Sequence, residues 1–151
     1  MLKNVCHIGL IVSNLQNSIK FYKDTLGLKY EGKMTMSGEN TETLFNLKNC
    51  FARIAYLSCP EQISGPSIEL IEFVNPKAKK TKASLTTTSI SEICFTVSDI
   101  DAAYEALLEK GVEFISKPQY FDFTPDGFSK SKAVYFKDPD GIILELLEYV
   151  E

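Results

Sequence analysis

The feature that most constrains this chain is that it repeats itself. Residues 7–15 read HIGLIVSNL and residues 92–100 read EICFTVSDI, an offset of 85 residues from His7 to Glu92. Each segment runs into a helix-like stretch that stops at a glycine, Gly27 or Gly111. Each half then closes on a related strand, SIELIEFV at 67–74 and ILELLEYV at 143–150, which sets Glu69 against Glu145 at an offset of 76. Matched segments in the same order, with an offset that drifts as unequal loops would make it, are the mark of a duplicated unit.

Local patterns agree between the halves. Val5 to Val12 is rich in β-branched and aliphatic residues and reads as a strand. Ser13 and Asn14 can cap the helix that follows, as Ser98 and Asp99 can in the second half. Leu15, Ile19, Tyr22 and Leu26 fall on one helical face, and Ile100, Tyr104, Leu107 and Gly111 keep the same spacing. Gly27 and Gly111 suit the left-handed position that ends a helix. Helices are therefore predicted at 14–26 and 99–110, with further strands near 28–36, 51–58, 67–74, 112–121, 131–137 and 142–150. Each half is βαβββ, an α+β module. The expected organisation is one domain over 1–151, with module one at 1–75, a linker at 76–89 and module two at 90–151. Lys77, Lys79, Lys80 and Lys82 crowd that linker without periodicity, as a solvated segment does. Asp138-Pro139-Asp140-Gly141 reads as a tight turn with no chemistry of its own.

Bulk properties exclude several partners. The net charge of −4 disfavours nucleic acid or an anionic membrane, both of which need a basic face. The longest apolar runs, such as Ile8 to Val12, are strand-sized and far short of a membrane span. A strand-like segment directly after Met1 is the pattern of a chain without a signal peptide. Cys6, Cys50, Cys59 and Cys94 have neither CxxC spacing nor a dense framework, the usage expected of reduced thiols in a cytoplasmic protein.

Strand parity exposes a candidate site. Ile8, Leu10 and Val12 share one side of the first strand and are expected to face the helix, as are Ile93, Phe95 and Val97 in the repeat. Ile68 and Leu70 match Leu144 and Leu146 on that side, which puts Glu69 and Glu145 on the opposite, concave face. His7, Glu69, Glu92 and Glu145 then occupy symmetric inward positions. Clustered carboxylates are costly unless a cation, protons or water compensates. A divalent metal would do so, and these oxygen and nitrogen donors suit nickel, cobalt, manganese, zinc or iron; a wet face holding no metal is the alternative. Glu72 and Glu148 have the other parity and are expected at the surface.

At these residues the sequence resembles the vicinal oxygen chelate superfamily, which includes glyoxalase I, methylmalonyl-CoA epimerase, extradiol dioxygenases and the bleomycin and fosfomycin resistance proteins. The resembling segments are HIGLIVSNLQNSIKFYKDTLGLKY (7–30), SIELIEF (67–73), FTVSDIDAAYEALLEKGVEF (95–114) and YFKDPDGIILELLE (135–148). The resemblance implies eight strands, two tandem modules forming a cup-shaped mixed sheet with helices on its convex side, and often a homodimer. It also implies metal ligands at His7, Glu69, Glu92 and Glu145. Glu92 departs from the pattern, because metal-binding relatives commonly carry histidine there. Three carboxylates would leave a divalent site at about −1, a weaker Lewis acid than a neutral one.

The single histidine argues against an iron dioxygenase, which needs two histidines and a carboxylate. A hydrolase built on His7 has no nucleophile elbow to work with. Two readings remain. One is a glyoxalase- or epimerase-like lyase or isomerase, with Glu69 or Glu145 as the base at a carbon next to a carbonyl. Arg53, the only arginine, and Tyr135 are its expected substrate-binding residues. The other is a metal-free small-molecule binding protein, in which Tyr120, Phe121, Phe123, Phe128 and Tyr135 stack on a ligand.

Overall fold

A computed structural model of the protein describes residues 2–61 and 65–151. The chain forms two compact units, residues 1–80 and 81–151, and the boundary falls within the lysine-rich segment. In the first unit β1 (His7–Ile11) leads into α1 (Leu15–Lys20), which continues as a π-helical turn over Phe21–Thr25. Then come β2 (Lys29–Ser37), α2 (Glu39–Phe45), β3 (Phe51–Ser58) and β4 (Ser67–Asn75). The sheet order is β1-β4-β3-β2, with β1 and β4 parallel and the other pairs antiparallel. The second unit repeats the plan with β5 (Ile93–Thr96), α3 (Ile100–Glu109), β6 (Glu113–Phe114), β7 (Gln119–Asp122), β8 (Lys130–Lys137) and β9 (Ile143–Val150). Its order is β5-β9-β8-β6, β5 lies parallel to β9, and β7 also pairs with β8. Both units are therefore the expected α+β modules.

The predicted apolar faces are the buried ones. Val12, Leu15, Tyr22 and Leu70 are almost fully covered in the first unit, as are Ile100, Phe136, Leu144 and Leu146 in the second. α1 packs on β3 and β4, and α3 on β9. In the second unit the Phe114 ring lies between Tyr104 and Phe136, with centroids 4.6 and 5.6 Å away. Gly27 and Gly111 sit at φ 79° and 80°, each ending its helix in the left-handed conformation.

Three expectations need correcting. The strand predicted at 112–121 is two strands: five residue steps from Phe114 to Gln119 lie opposite only three, from Phe136 to Ala133. Pro118 lies in that excess and has no N–H to give the ladder. The described residues thus hold nine strands rather than eight. Helix α2 was not foreseen, since Glu39–Phe45 is mostly polar and has no apolar stripe. It is set locally instead. Gly38 enters it at φ 86°, Asn46 leaves it in the left-handed region, and Phe45 meets Phe73 edge-on at 5.3 Å.

The third correction concerns Glu72 and Glu148, which are not simply surface groups. Glu72 Oε2 accepts from the backbone N–H of Leu15 at 3.3 Å, and Glu148 Oε2 accepts from that of Ile100 at 2.8 Å. Each carboxylate thus sits at the first turn of its helix and satisfies an amide that the helix cannot. Asn14 and Asp99 cap the same two turns, accepting from Asn17 and Ala102 at 2.9 Å. The duplication is therefore repeated down to individual hydrogen bonds. The Asp138 turn behaves as read: the buried Asp138 carboxylate accepts from the amides of Asp140 and Ile142 at 2.9 and 2.8 Å.

Candidate functional site

Because Glu72 reaches α1, Glu69, three residues earlier on β4, lies on the sheet face away from the helix. β4 runs between β1 and β3, so Glu69 has a neighbour on each side, Gly9 and Tyr56. The Tyr56 hydroxyl donates to Glu69 Oε1 at 2.5 Å, and His7 Nε2 stands 3.1 Å from Oε2. The His7 and Tyr56 rings meet edge-on with centroids 5.9 Å apart. A Cβ added at Gly9 would lie 3.4 Å from Glu69 Oε2, so glycine keeps that side of the carboxylate clear. Glu69 is only 8% exposed, a burial that a carboxylate tolerates when its oxygens have partners. The Tyr56 hydroxyl is pushed up to about 12, first by its bond to Glu69 and then by burial. Along the same face Ala52, Ile54 and Ile71, with Met36 and Phe73, form an apolar floor.

The second unit presents the same lattice with different side chains. β9 runs between β5 and β8, and Glu145 is flanked by Cys94 and Tyr135. Burial raises the Glu145 pKa; the Cys94 hydrogen bond opposes that shift and the charge of Glu92 adds to it. The Cys94 residue is exposed at the surface overall, yet its thiol is pushed up to about 12. Protein shielding the sulfur is the main cause, followed by the bond to Glu145 and the Glu145 and Glu92 charges. Tyr135 is half-buried and also raised, by burial and then by Glu145, Glu92 and Cys94. Among the described residues no hydrogen bond joins Tyr135 to Glu145.

The structure brings His7 to Glu69 in one unit, and Glu92, Glu145 and Tyr135 to one neighbourhood in the other. Arg53 goes elsewhere. It pairs in register with Glu72 on the helix side of the sheet, with Nη1 3.8 Å from Glu72 Oε2, and so faces away from Glu69. Sequence reasoning missed Tyr56. Its signal is the likeness of IAYL (54–57) to AVYF (133–136), which makes Tyr56 the counterpart of Tyr135. Cys94 is the counterpart of Gly9.

Donor chemistry fits a divalent cation in kind, because imidazole nitrogen and carboxylate oxygen are what such metals take. His7 Nε2 and Glu69 Oε2 also fit in place, since two donors 3.1 Å apart can bind one ion side by side. Within neither unit, among the described residues, do three histidine, cysteine, aspartate or glutamate side chains converge on one point.

A repeated βαβββ module with a glutamate on the open face of each sheet defines a fold class, and the comparisons with known proteins name it. The family model described as the Glyoxalase/Bleomycin resistance protein/Dioxygenase superfamily matches residues 4–146, and the chain belongs to that superfamily. The uncharacterized protein YwkD of Bacillus subtilis is 26% identical over 98% of each chain. A glyoxalase family protein from Bacillus cereus has a similar structure, with a TM-score of 0.85 and 25% identity over 100% of this chain and 97% of the other. Two more distant structures share the fold. The trypanothione-dependent glyoxalase I of Leishmania major has a TM-score of 0.64 at 22% identity, covering 97% of this chain and 87% of its own. The antibiotic-binding protein TnmS3 of Streptomyces sp. CB03234 has a TM-score of 0.64 at 17% identity, covering 99% and 98%. No helix among the described residues is long and apolar enough to cross a membrane.

Proposed function

We propose that the chain is a single domain and that the protein is a glyoxalase- or epimerase-like lyase or isomerase. The observation that carries this reading is the repeated glutamate–tyrosine pair, Glu69 with Tyr56 and Glu145 with Tyr135, with His7 set against Glu69. Superfamily membership and the shared fold of the Leishmania glyoxalase I support it. Its substrate is a small carbonyl compound. Glu69 and Glu145 are the two carboxylates that take and return a proton at the carbon beside the carbonyl. The Tyr135 hydroxyl, not engaged by Glu145, is the donor for a substrate oxygen. His7, Glu69 and Glu145, with Glu92 as fourth, would hold a divalent metal. Bound there, the metal supplies Lewis-acid polarisation of the substrate oxygen. The proposal includes a homodimer located in the cytoplasm.

Deuterium exchange tests the reading without knowledge of the natural substrate. A panel of α-hydroxy and α-keto carbonyl compounds is incubated in D2O with metal-loaded protein. Deuterium should enter at the α-carbon of at least one compound, and both Glu69→Gln and Glu145→Gln should abolish it. No exchange above the protein-free rate, with any metal, would sink the enzyme.

One observation favours a second reading, a metal-free ligand-binding protein. Tyr56 bonds one oxygen of Glu69 and His7 stands 3.1 Å from the other, and three of the four candidate ligands are carboxylates. TnmS3 binds an antibiotic on this fold. Tight binding of an aromatic small molecule in the presence of a chelator, with no deuterium exchange, would select this alternative.

A further inference from the structure

Glu69 has a neighbour at each oxygen, one from each flanking strand. Tyr56 reaches Oε1 from β3, and His7 meets Oε2 from β1. A carboxylate on a β-strand has two soft torsions beyond Cβ, and its oxygens exchange places when the group turns over. A hydroxyl donor on one side and an imidazole 3.1 Å away on the other restrict that freedom. The 2.5 Å contact from Tyr56 is short for a neutral donor and has the length of a charge-assisted bond. With Oε1 engaged, only Oε2 is left beside the imidazole, in a gap that Gly9 keeps free of side chain.

We infer that Tyr56 is a positioning residue, whose hydroxyl locks Glu69 so that Oε2 alone, paired with His7 Nε2, is offered to a divalent cation. This rests on the enzyme reading above for the identity of the ligand, but the lock itself does not. Groups bonded to a metal ligand fix its orientation, and their loss typically costs about 10- to 100-fold in metal affinity. Tyr56→Phe removes the hydroxyl and keeps the ring, so packing against His7 and the apolar floor is preserved.

The experiment uses the full chain, purified without chelator or histidine tag, and two readouts. Calorimetric titration with nickel or manganese should give a Kd weakened about 10- to 100-fold in Tyr56→Phe, and hardly changed in Tyr135→Phe, whose hydroxyl holds no carboxylate. Metal affinity is a property of the folded protein, so a purely structural tyrosine would lower the melting temperature and leave Kd alone. The second readout needs no metal. His7 is the only histidine, so its ring signals in a long-range proton–nitrogen spectrum are unambiguous. The His7 ring signals, which in the wild type report the Oε2 atom 3.1 Å from Nε2, should shift in Tyr56→Phe as Glu69 gains freedom to turn. If the wild type binds neither metal, the metal-dependent reading fails and the His7 signal alone decides the lock. An unchanged His7 signal, or an unchanged Kd where metal does bind, overturns the proposal.

Discussion

In both sheets a glutamate on the closing strand stands opposite a tyrosine on its antiparallel neighbour. In the first unit the two are joined at 2.5 Å and an imidazole stands 3.1 Å from the second oxygen. In the second they are not joined; the carboxylate stands beside a thiol, and burial, then the charge of Glu92, raises its pKa. The backbone register is the same, so the difference comes from the strand parallel to each glutamate: His7 and Gly9 on β1 against Glu92 and Cys94 near and on β5. Duplication copied the lattice, while the side chains beside each glutamate differ between the halves. The helix-side glutamates, Glu72 and Glu148, kept the same task in both halves.

The largest expected effect breaks the clamp outright. If metal binds as proposed, a concentration of 100 times Kd should stabilise the wild type by about 2.7 kcal/mol. Glu69→Gln should lose that gain in a melting series with nickel, cobalt, manganese and zinc. A metal-dependent rise that survives in Glu69→Gln would move the site off the clamp.

Making the second unit resemble the first should come next. Glu92→His restores an imidazole at the position equivalent to His7 and removes one negative charge. Metal Kd should tighten by about tenfold, or about 1.4 kcal/mol. Weaker binding would mean that Glu92 is itself a preferred ligand.

The two tyrosines offer a direct contrast in stability without metal. Tyr56→Phe leaves a largely buried carboxylate short of a donor and should cost about 1–2 kcal/mol in urea unfolding. Tyr135→Phe should change stability by less than about 0.5 kcal/mol. Equal losses would mean that the difference between the two pairs does not exist in solution.

The smallest effect tests where the halves agree. Glu72→Ala and Glu148→Ala should each cost about 0.5–1 kcal/mol, with Glu148 at the upper end because its bond is shorter. A large asymmetry between them would show that the helix-side repeat is less faithful than its hydrogen bonds.

Much of this architecture was legible in the residues. Alternation along 67–74 and 143–150 separated the core-facing Ile68, Leu70, Leu144 and Leu146 from Glu69 and Glu145, because strand parity is a property of the backbone alone. Caps and glycine stops bounded α1 and α3 for the same local reason. The same logic misjudged Glu72 and Glu148: parity placed them on the helix side, but only the packing of α1 and α3 brings an unsatisfied amide within reach. It also missed α2, which has no apolar period and is held by its ends and by Phe45 on Phe73.

The duplicated βαβββ plan, and the side of each sheet away from its helix on which the glutamate lies, follow from local pattern, because periodicity and turn chemistry act over a few residues. Only the tertiary structure decided what each glutamate touches. Register across β1, β4 and β3 pairs residues 9, 56 and 69, which no local pattern connects. Hydrogen bonds to a carboxylate depend on tenths of an ångström across strands, and that distance exists only once the sheet has formed.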